Sequence, residues 1–237
     1  MKEHPPGPTE LAETLAEVAR GLLSEPDLDR TLERIVDMAV KTVPGCECAG
    51  ISLVERRSIT TRAASGDVPH AVDAIQHETN SGPCLDAIQQ HEVFVTDDLR
   101  AEERWPEFSE RVTEATGVRS VMSVRLFAED DTMGALTLCS TSPSAFDEES
   151  TAVAAVFAAH ASVAISASRR EENLEKALAS RDLIGQAKGI LMAQQLMSAD
   201  EAFDALRSAS QHLNLKLRDV ADRVILTGEI PTRTEQH

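Results

Sequence analysis

Apolar residues recur at helical spacing over residues 28–43, where Leu32, Ile35, Val36 and Ala39 share one face, and over residues 9–24 through Leu11, Leu15, Val18 and Leu22. Both stretches predict amphipathic helices. Pro44 and Gly45 stop that rhythm, and short runs of strand character follow at residues 49–54, 59–64, 93–95, 120–127 and 132–140. The last two flank residues 128–131 and predict a hairpin. A helical or loop stretch at 69–90 and an acidic helix near 104–116, stopped by Gly117, fall between the strands. The mixture predicts an α+β fold, a mostly antiparallel sheet flanked by helices.

After Phe146 the pattern changes for good. Residues 147–192 contain no proline and only Gly185 and Gly189, which predicts one helix of about 45 residues, roughly 65 Å long at 1.5 Å per residue. Its middle, 169–181, is charged, and Ile165, Leu174, Leu178 and Ile184 suggest a narrow apolar seam. A solvated connector and a parallel dimer stalk both fit, and an uncovered stripe favours pairing. The remainder is punctuated as three short helices. The first ends near Leu196, and Ser198 with Glu201 forms a capping box ahead of Ala202, Phe203, Leu206 and Ala209. Asn214 breaks that run. Leu217, Val220, Ala221, Val224 and Ile225 define the third helix, which ends at Gly228.

Composition allows a real core, since 42% of the 237 residues are hydrophobic. Lys and Arg number 23 against 40 Asp and Glu, a net charge of -17, which repels polyanions at long range. The charge is unevenly placed. Residues 174–237 hold 8 basic and 9 acidic side chains, leaving 15 against 31 upstream. The last quarter is therefore where a polyanion could bind.

Four cysteines, Cys46, Cys48, Cys84 and Cys139, lack paired zinc-site spacing, so reduced thiols and a cytoplasmic location are expected, with no metal. The first residues, MKEHPPGPTE, do not read as a signal peptide. Residues 150–168 carry no charged side chain over 19 positions, but Ala and Ser dominate, with Val153, Val156, Phe157, Val163 and Ile165 as the bulky apolar groups and His160 in their midst. A helix packed on a sheet or a partner is expected there, not a membrane span.

Four stretches in order, RDLIGQAKGILM at 181–192, SADEAF at 198–203, LRSAS at 206–210 and KLRDVA at 216–221, closely resemble the ANTAR family. The resemblance implies a three-helix domain that binds RNA hairpins and acts in transcription antitermination. Upstream, SGPC at 81–84, VFVTDDL at 93–99, GVRS at 117–120 and MGALTL at 133–138 resemble GAF domains of the kind that precede ANTAR domains in actinobacterial regulators. This implies a leader at 1–8, a GAF-like sensor at 9–168, a helical linker at 169–180, the ANTAR domain at 181–229 and a tail at 230–237.

RNA recognition needs cations for phosphates and polar groups for unpaired loop bases. Arg181 and Lys188, seven apart, share one helix face with Gln186 nearby, and Arg207, Ser210, Lys216 and Arg218 are the corresponding polar positions on the next two helices. Each also reads as a solvated side chain. Ala187, Gly189, Leu191 and Met192 read as packing positions, and Phe203 as core, leaving no aromatic platform for bases.

In the sensor part Cys84, behind Gly82 and Pro83, is the candidate ligand or redox position, although a buried inert thiol is the plainer reading. No cofactor is implied beyond a small-molecule ligand of unspecified identity. Cys46 and Cys48 would point the same way on a strand. No hydrolase, metalloprotease, kinase or P-loop motif occurs, so no enzyme is expected.

The leading expectation is an RNA-binding antitermination regulator that forms a homodimer and is controlled by its sensor. The alternatives are a DNA-binding regulator or a protein-interaction module. Residues 216–226 hold Lys216, Arg218 and Arg223 against Asp219 and Asp222, too acidic a balance for a groove-reading helix.

Overall fold

The computed structural model describes residues 27–55, 58–90, 93–128 and 131–232. The leader, the helix expected at 9–24, the centre of the hairpin turn and the last five residues of the tail lie outside the described residues. Contacts divide the chain into two units at Ser168 and Arg169.

The first unit is built on one antiparallel sheet. Its strands are β1 (Cys48–Glu55), β2 (Ser58–Ala64), β3 (Phe94–Thr96), β4 (Ser120–Ala128) and β5 (Asp131–Ser140), in the order β2-β1-β5-β4-β3. β4 and β5 form the expected hairpin. Around the sheet lie α1 (Leu28–Thr42), α2 (Asp67–Thr79), α3 (Pro83–Gln90), α4 (Pro106–Thr116) and the first half of α5 (Glu148–Gln195). The stretch at 69–90 thus resolves into two helices, separated where Asn80 takes a left-handed conformation.

Side-chain alternation sends the two faces of β5 into different cores. Leu136 and Leu138 join Leu32, Ile35, Val36, Phe157 and Ile165 on the face covered by α1 and α5. Ala135 and Cys139 join Val72, Cys84, Trp105, Phe108 and Val112 on the face covered by α2, α3 and α4. Because both faces are buried, the inner strands read as nearly continuous apolar runs, whereas edge strand β2 alternates.

Helix α5 is long and apolar enough to cross a membrane by length and composition, yet its apolar stretch at 150–168 packs Val153, Ala154, Phe157, Ala158, Ala161 and Ile165 into the sheet core. This corrects the expected seam. Ile165 is buried against the sheet, so of the expected seam Leu174 and Leu178 are the exposed members. Leu174 and Leu178, four residues apart, share a face of the helix within the second unit.

The second unit contains the rest of α5, α6 (Ala199–Leu213) and α7 (Leu217–Thr227), packed around Ala187, Leu191, Ala202, Leu206, Val220, Ala221 and Val224. Ser198 accepts from the Glu201 amide while the Glu201 carboxylate accepts from the Ser198 amide, so the expected capping box is formed. Asn214 and Gly228 close α6 and α7 in left-handed conformation. Ala187 and Leu191 are core, as expected. Gly189 is not a close-packing position, because a Cβ there would meet nothing within 4 Å, and Met192 is exposed.

Candidate nucleic-acid interface and buried polar network

The second half of α5 and the start of α6 border an open cleft of about 580 Å³, lined by Arg181, Asp182, Ile184, Gly185, Gln186, Lys188 and Phe203. One helical repeat creates it. Residues seven apart return to the same side of a helix, so Arg181 and Lys188 border a single depression. Gly185 between them has no side chain to fill it. The Lys188 Nζ lies 5.8 Å from the centroid of the Phe203 ring.

Phe203 is half-buried and forms a cleft wall, which differs from the core position expected for it. Its place on α6 brings it to the rim of the apolar stripe, where periodicity alone does not separate core from border. A cation over a π face beside a second cation and an amide is a set that can hold a phosphate and a flat base together. Asp182 is the acidic member of the lining.

The other expected positions lie elsewhere. Arg207 pairs with Asp204 at 3.0 Å, and the Arg218 Nε pairs with Asp219 at 3.3 Å, all on exposed helix surface. The Ser210 hydroxyl donates to the Leu215 carbonyl at 2.7 Å and so braces the turn between α6 and α7. Lys216 is the N-cap residue of α7, without a side-chain capping bond.

The first unit contains a buried polar network on the α2 face of the sheet. The Asp73 carboxylate accepts from the Ser52 hydroxyl, from the Thr61 hydroxyl at 2.6 Å and from the Gln76 amide at 3.2 Å. Gln76 in turn accepts the Cys84 backbone N–H at 2.9 Å. Gly82 is required beside it, since its φ is +145° and an added Cβ would fall within 3 Å of the Gln76 side chain. Strands β1 and β2 are thus tied to α2 through the Asp73 carboxylate, and α3 is tied to α2 through Gln76. The pattern of apolar residues gave no sign of this network; the one available signal was an acid, Asp73, between Val72 and Ile75 on a helix.

Cys84 is 2% exposed, and burial, with Asp73 nearby, raises its thiol far above the ordinary value. It belongs to the buried core on this face of the sheet. Cys46 lies ahead of β1 and not within it, so Cys46 and Cys48 do not form the strand pair expected from their spacing. The thiol that Cys48 faces is Cys139, its cross-strand partner. Among the described residues, no group of three or more His, Cys, Asp or Glu is placed to hold a metal ion.

The chain matches the GAF domain family over residues 25–166 and the ANTAR domain family over residues 172–225. No curated protein matches it. Among solved structures it is similar to the free methionine-R-sulfoxide reductase of Neisseria meningitidis, with 19% identity, a TM-score of 0.57 and coverage of 72% of this chain and 96% of that one. It is also similar to the GAF domain of an Acinetobacter phosphoenolpyruvate-protein phosphotransferase, at 18% identity, TM-score 0.55 and coverage of 69% and 97%. The corresponding domain from Coxiella burnetii gives 13%, 0.56, 70% and 98%. At such identities the likeness is one of fold.

Proposed function

The chain belongs to the GAF domain family and carries an ANTAR domain behind it, and from that premise we propose that it is a non-enzymatic antitermination regulator that binds hairpin loops in nascent leader RNA. The pairing of domains fits a sensor-controlled regulator. The observation that carries the RNA reading is the cleft that Arg181, Gln186, Lys188 and Phe203 line together. Phosphates of a loop meet the two cations, and an unpaired base lies against the ring. Duplex DNA suits this surface poorly, because a closed base pair offers no free face to Phe203.

One such cleft makes few contacts, so a second copy of the chain matters. Leu174 and Leu178 are 65% and 60% exposed on one side of α5, and pairing along them buries this stripe. Two ANTAR domains on one dimer then engage two hairpins, and the second binding event benefits from the effective concentration that the first creates. The sensor acts by altering α5, which runs unbroken from Glu148 to Gln195. This work takes place in the cytoplasm, on transcripts as they emerge.

The test is titration of the purified chain with a two-hairpin leader RNA, the same RNA with altered loop bases, and duplex DNA, each across a range of salt. Loop-dependent RNA binding that weakens in Lys188→Ala is expected, together with read-through of an intrinsic terminator in a reconstituted transcription reaction. Binding indifferent to both loop sequence and Lys188 would refute the mechanism. Equal affinity for duplex DNA would favour the DNA-binding alternative, and no nucleic-acid binding would favour a protein-docking module. Leu174→Glu with Leu178→Glu should reduce the light-scattering mass to that of a monomer.

A further inference from the structure

We propose that Cys48 and Cys139 form a reversible thiol-oxidation site, converted to an intramolecular disulfide by hydroperoxides, whose state is conveyed to the beginning of α5.

The geometry is set by strand register. Cys48 opens β1 and Cys139 lies directly opposite it on β5. Opposed residues in an antiparallel pair have Cα atoms about 4.5–5.5 Å apart, within the roughly 4.4–6.8 Å that a disulfide spans. Both side chains stand on the same face, in or against the core formed with α2, α3 and α4. The Cys48 sulfur lies 4.0 Å from the Cys139 carbonyl oxygen. Cys139 is fully buried, whereas Cys48 is half-buried and within reach of a small oxidant.

The two thiols are chemically unequal. Hydrogen bonding from the Cys139 thiol lowers the pKa of Cys48, against the opposing effect of burial, and the Cys139 thiol is itself raised well above its ordinary value. Cys46 is pushed up to about 12, chiefly by burial. Cys48, the partly exposed member of the pair, is therefore the nucleophile and the buried Cys139 the resolving partner.

The Cys48 thiolate attacks the O–O bond of the hydroperoxide. An S–O bond forms, the O–O bond breaks, and the departing alkoxide takes up a proton to leave as an alcohol, or as water from hydrogen peroxide. The Cys139 sulfur then attacks the sulfenic sulfur. The S–S bond forms, the S–O bond breaks, and hydroxide leaves with the Cys139 proton as water. Two thiols and one hydroperoxide give one disulfide, one alcohol and one water. The sulfurs together lose two electrons, which the peroxide gains, and a dithiol reductant reverses the change by exchange.

The bond has a route out of the sheet. Opposed Cβ atoms about 4.5–5.5 Å apart must draw in to about 3.5–4.5 Å, so oxidation pulls this end of β1 towards β5. Both segments leaving the pair lead to the start of α5. Upstream of Cys48, the Pro44 carbonyl accepts from the Ser150 hydroxyl at 3.0 Å. The Glu47 carboxylate accepts from Ser140 at 3.0 Å and from the Thr141 hydroxyl at 2.8 Å. Movement at the pair is thus passed to the first turn of α5. The consequence for RNA rests on the function proposed above; the disulfide and its effect on α5 do not.

The experiment treats the reduced full-length chain with one equivalent of hydrogen peroxide and maps its peptides without reduction. A peptide joining Cys48 to Cys139, removed by dithiothreitol, is expected. It should be absent in Cys48→Ser and intact in Cys84→Ser. Amide exchange in the first turn of α5 should differ between the reduced and oxidised chain, and the affinity for the two-hairpin RNA should change about five-fold or more. A Cys46–Cys48 link, an intermolecular link, or Cys48 oxidised beyond sulfenic acid with Cys139 free would overturn the site. Unchanged exchange at α5 in the mapped disulfide form would overturn the coupling. Loss of RNA binding in both forms would refute the RNA function and leave the thiol chemistry standing.

Discussion

The Lys188 ammonium sits 5.8 Å from the centre of the Phe203 ring, joining the second half of α5 to the second turn of α6 across the cleft. The two side chains supply different interactions, so their variants should fail differently. Lys188→Ala should weaken RNA binding at low salt and flatten the log affinity against log salt plot by about 0.7, the value of one single-strand phosphate contact. Phe203→Leu keeps an apolar side chain but loses the π face. It should cost about 1–3 kcal/mol of binding, with the salt slope unchanged.

Gly185 and Gly189 lie in the interior of one helix, and a Cβ at either meets nothing within 4 Å. Alanine at either position should stabilise the second unit by about 0.5–1 kcal/mol in denaturant unfolding. Only Gly185 lines the cleft. Gly185→Ala should therefore bind RNA more weakly while folding more stably, and Gly189→Ala should keep its affinity.

Asp73 accepts hydrogen bonds from Ser52, Thr61 and Gln76 in a buried setting. Asparagine offers one acceptor oxygen in place of two. Asp73→Asn should destabilise the first unit by about 1–3 kcal/mol, seen as a lower denaturant midpoint at an unchanged m-value.

Hydrogen bonds from Arg104 outweigh burial and, with one from Thr96, hold the Glu102 carboxyl at about 2. A carboxyl depressed in the folded state contributes stability that is complete above the ordinary carboxylate range and is lost as pH falls towards about 2. The unfolding midpoint should decline over that acid window. Glu102→Gln should flatten the decline and lower the plateau at neutral pH.

How much of this was legible in the sequence depended on whether the signal was local. The five strands, the long helix, the capping box at Ser198 and the stops at Gly117, Asn214 and Gly228 are each set by neighbours a few residues apart, and the structure has them where spacing and turn chemistry put them. The pairing of Arg181 with Lys188 is also local, because one helix carries both.

What the tertiary structure alone decided lies between elements. Ile165 left the exposed seam because the sheet beneath it offered burial, and Phe203 became a cleft wall because α6 packs beside Lys188. Ser210 braces a turn through a bond to Leu215. Cys48 faces Cys139 and not Cys46, since strand register joins residues 91 positions apart in the chain. A sequence records the period of each element, and so which residues share its faces; which faces meet is fixed only when the elements pack and the buried polar groups find their partners.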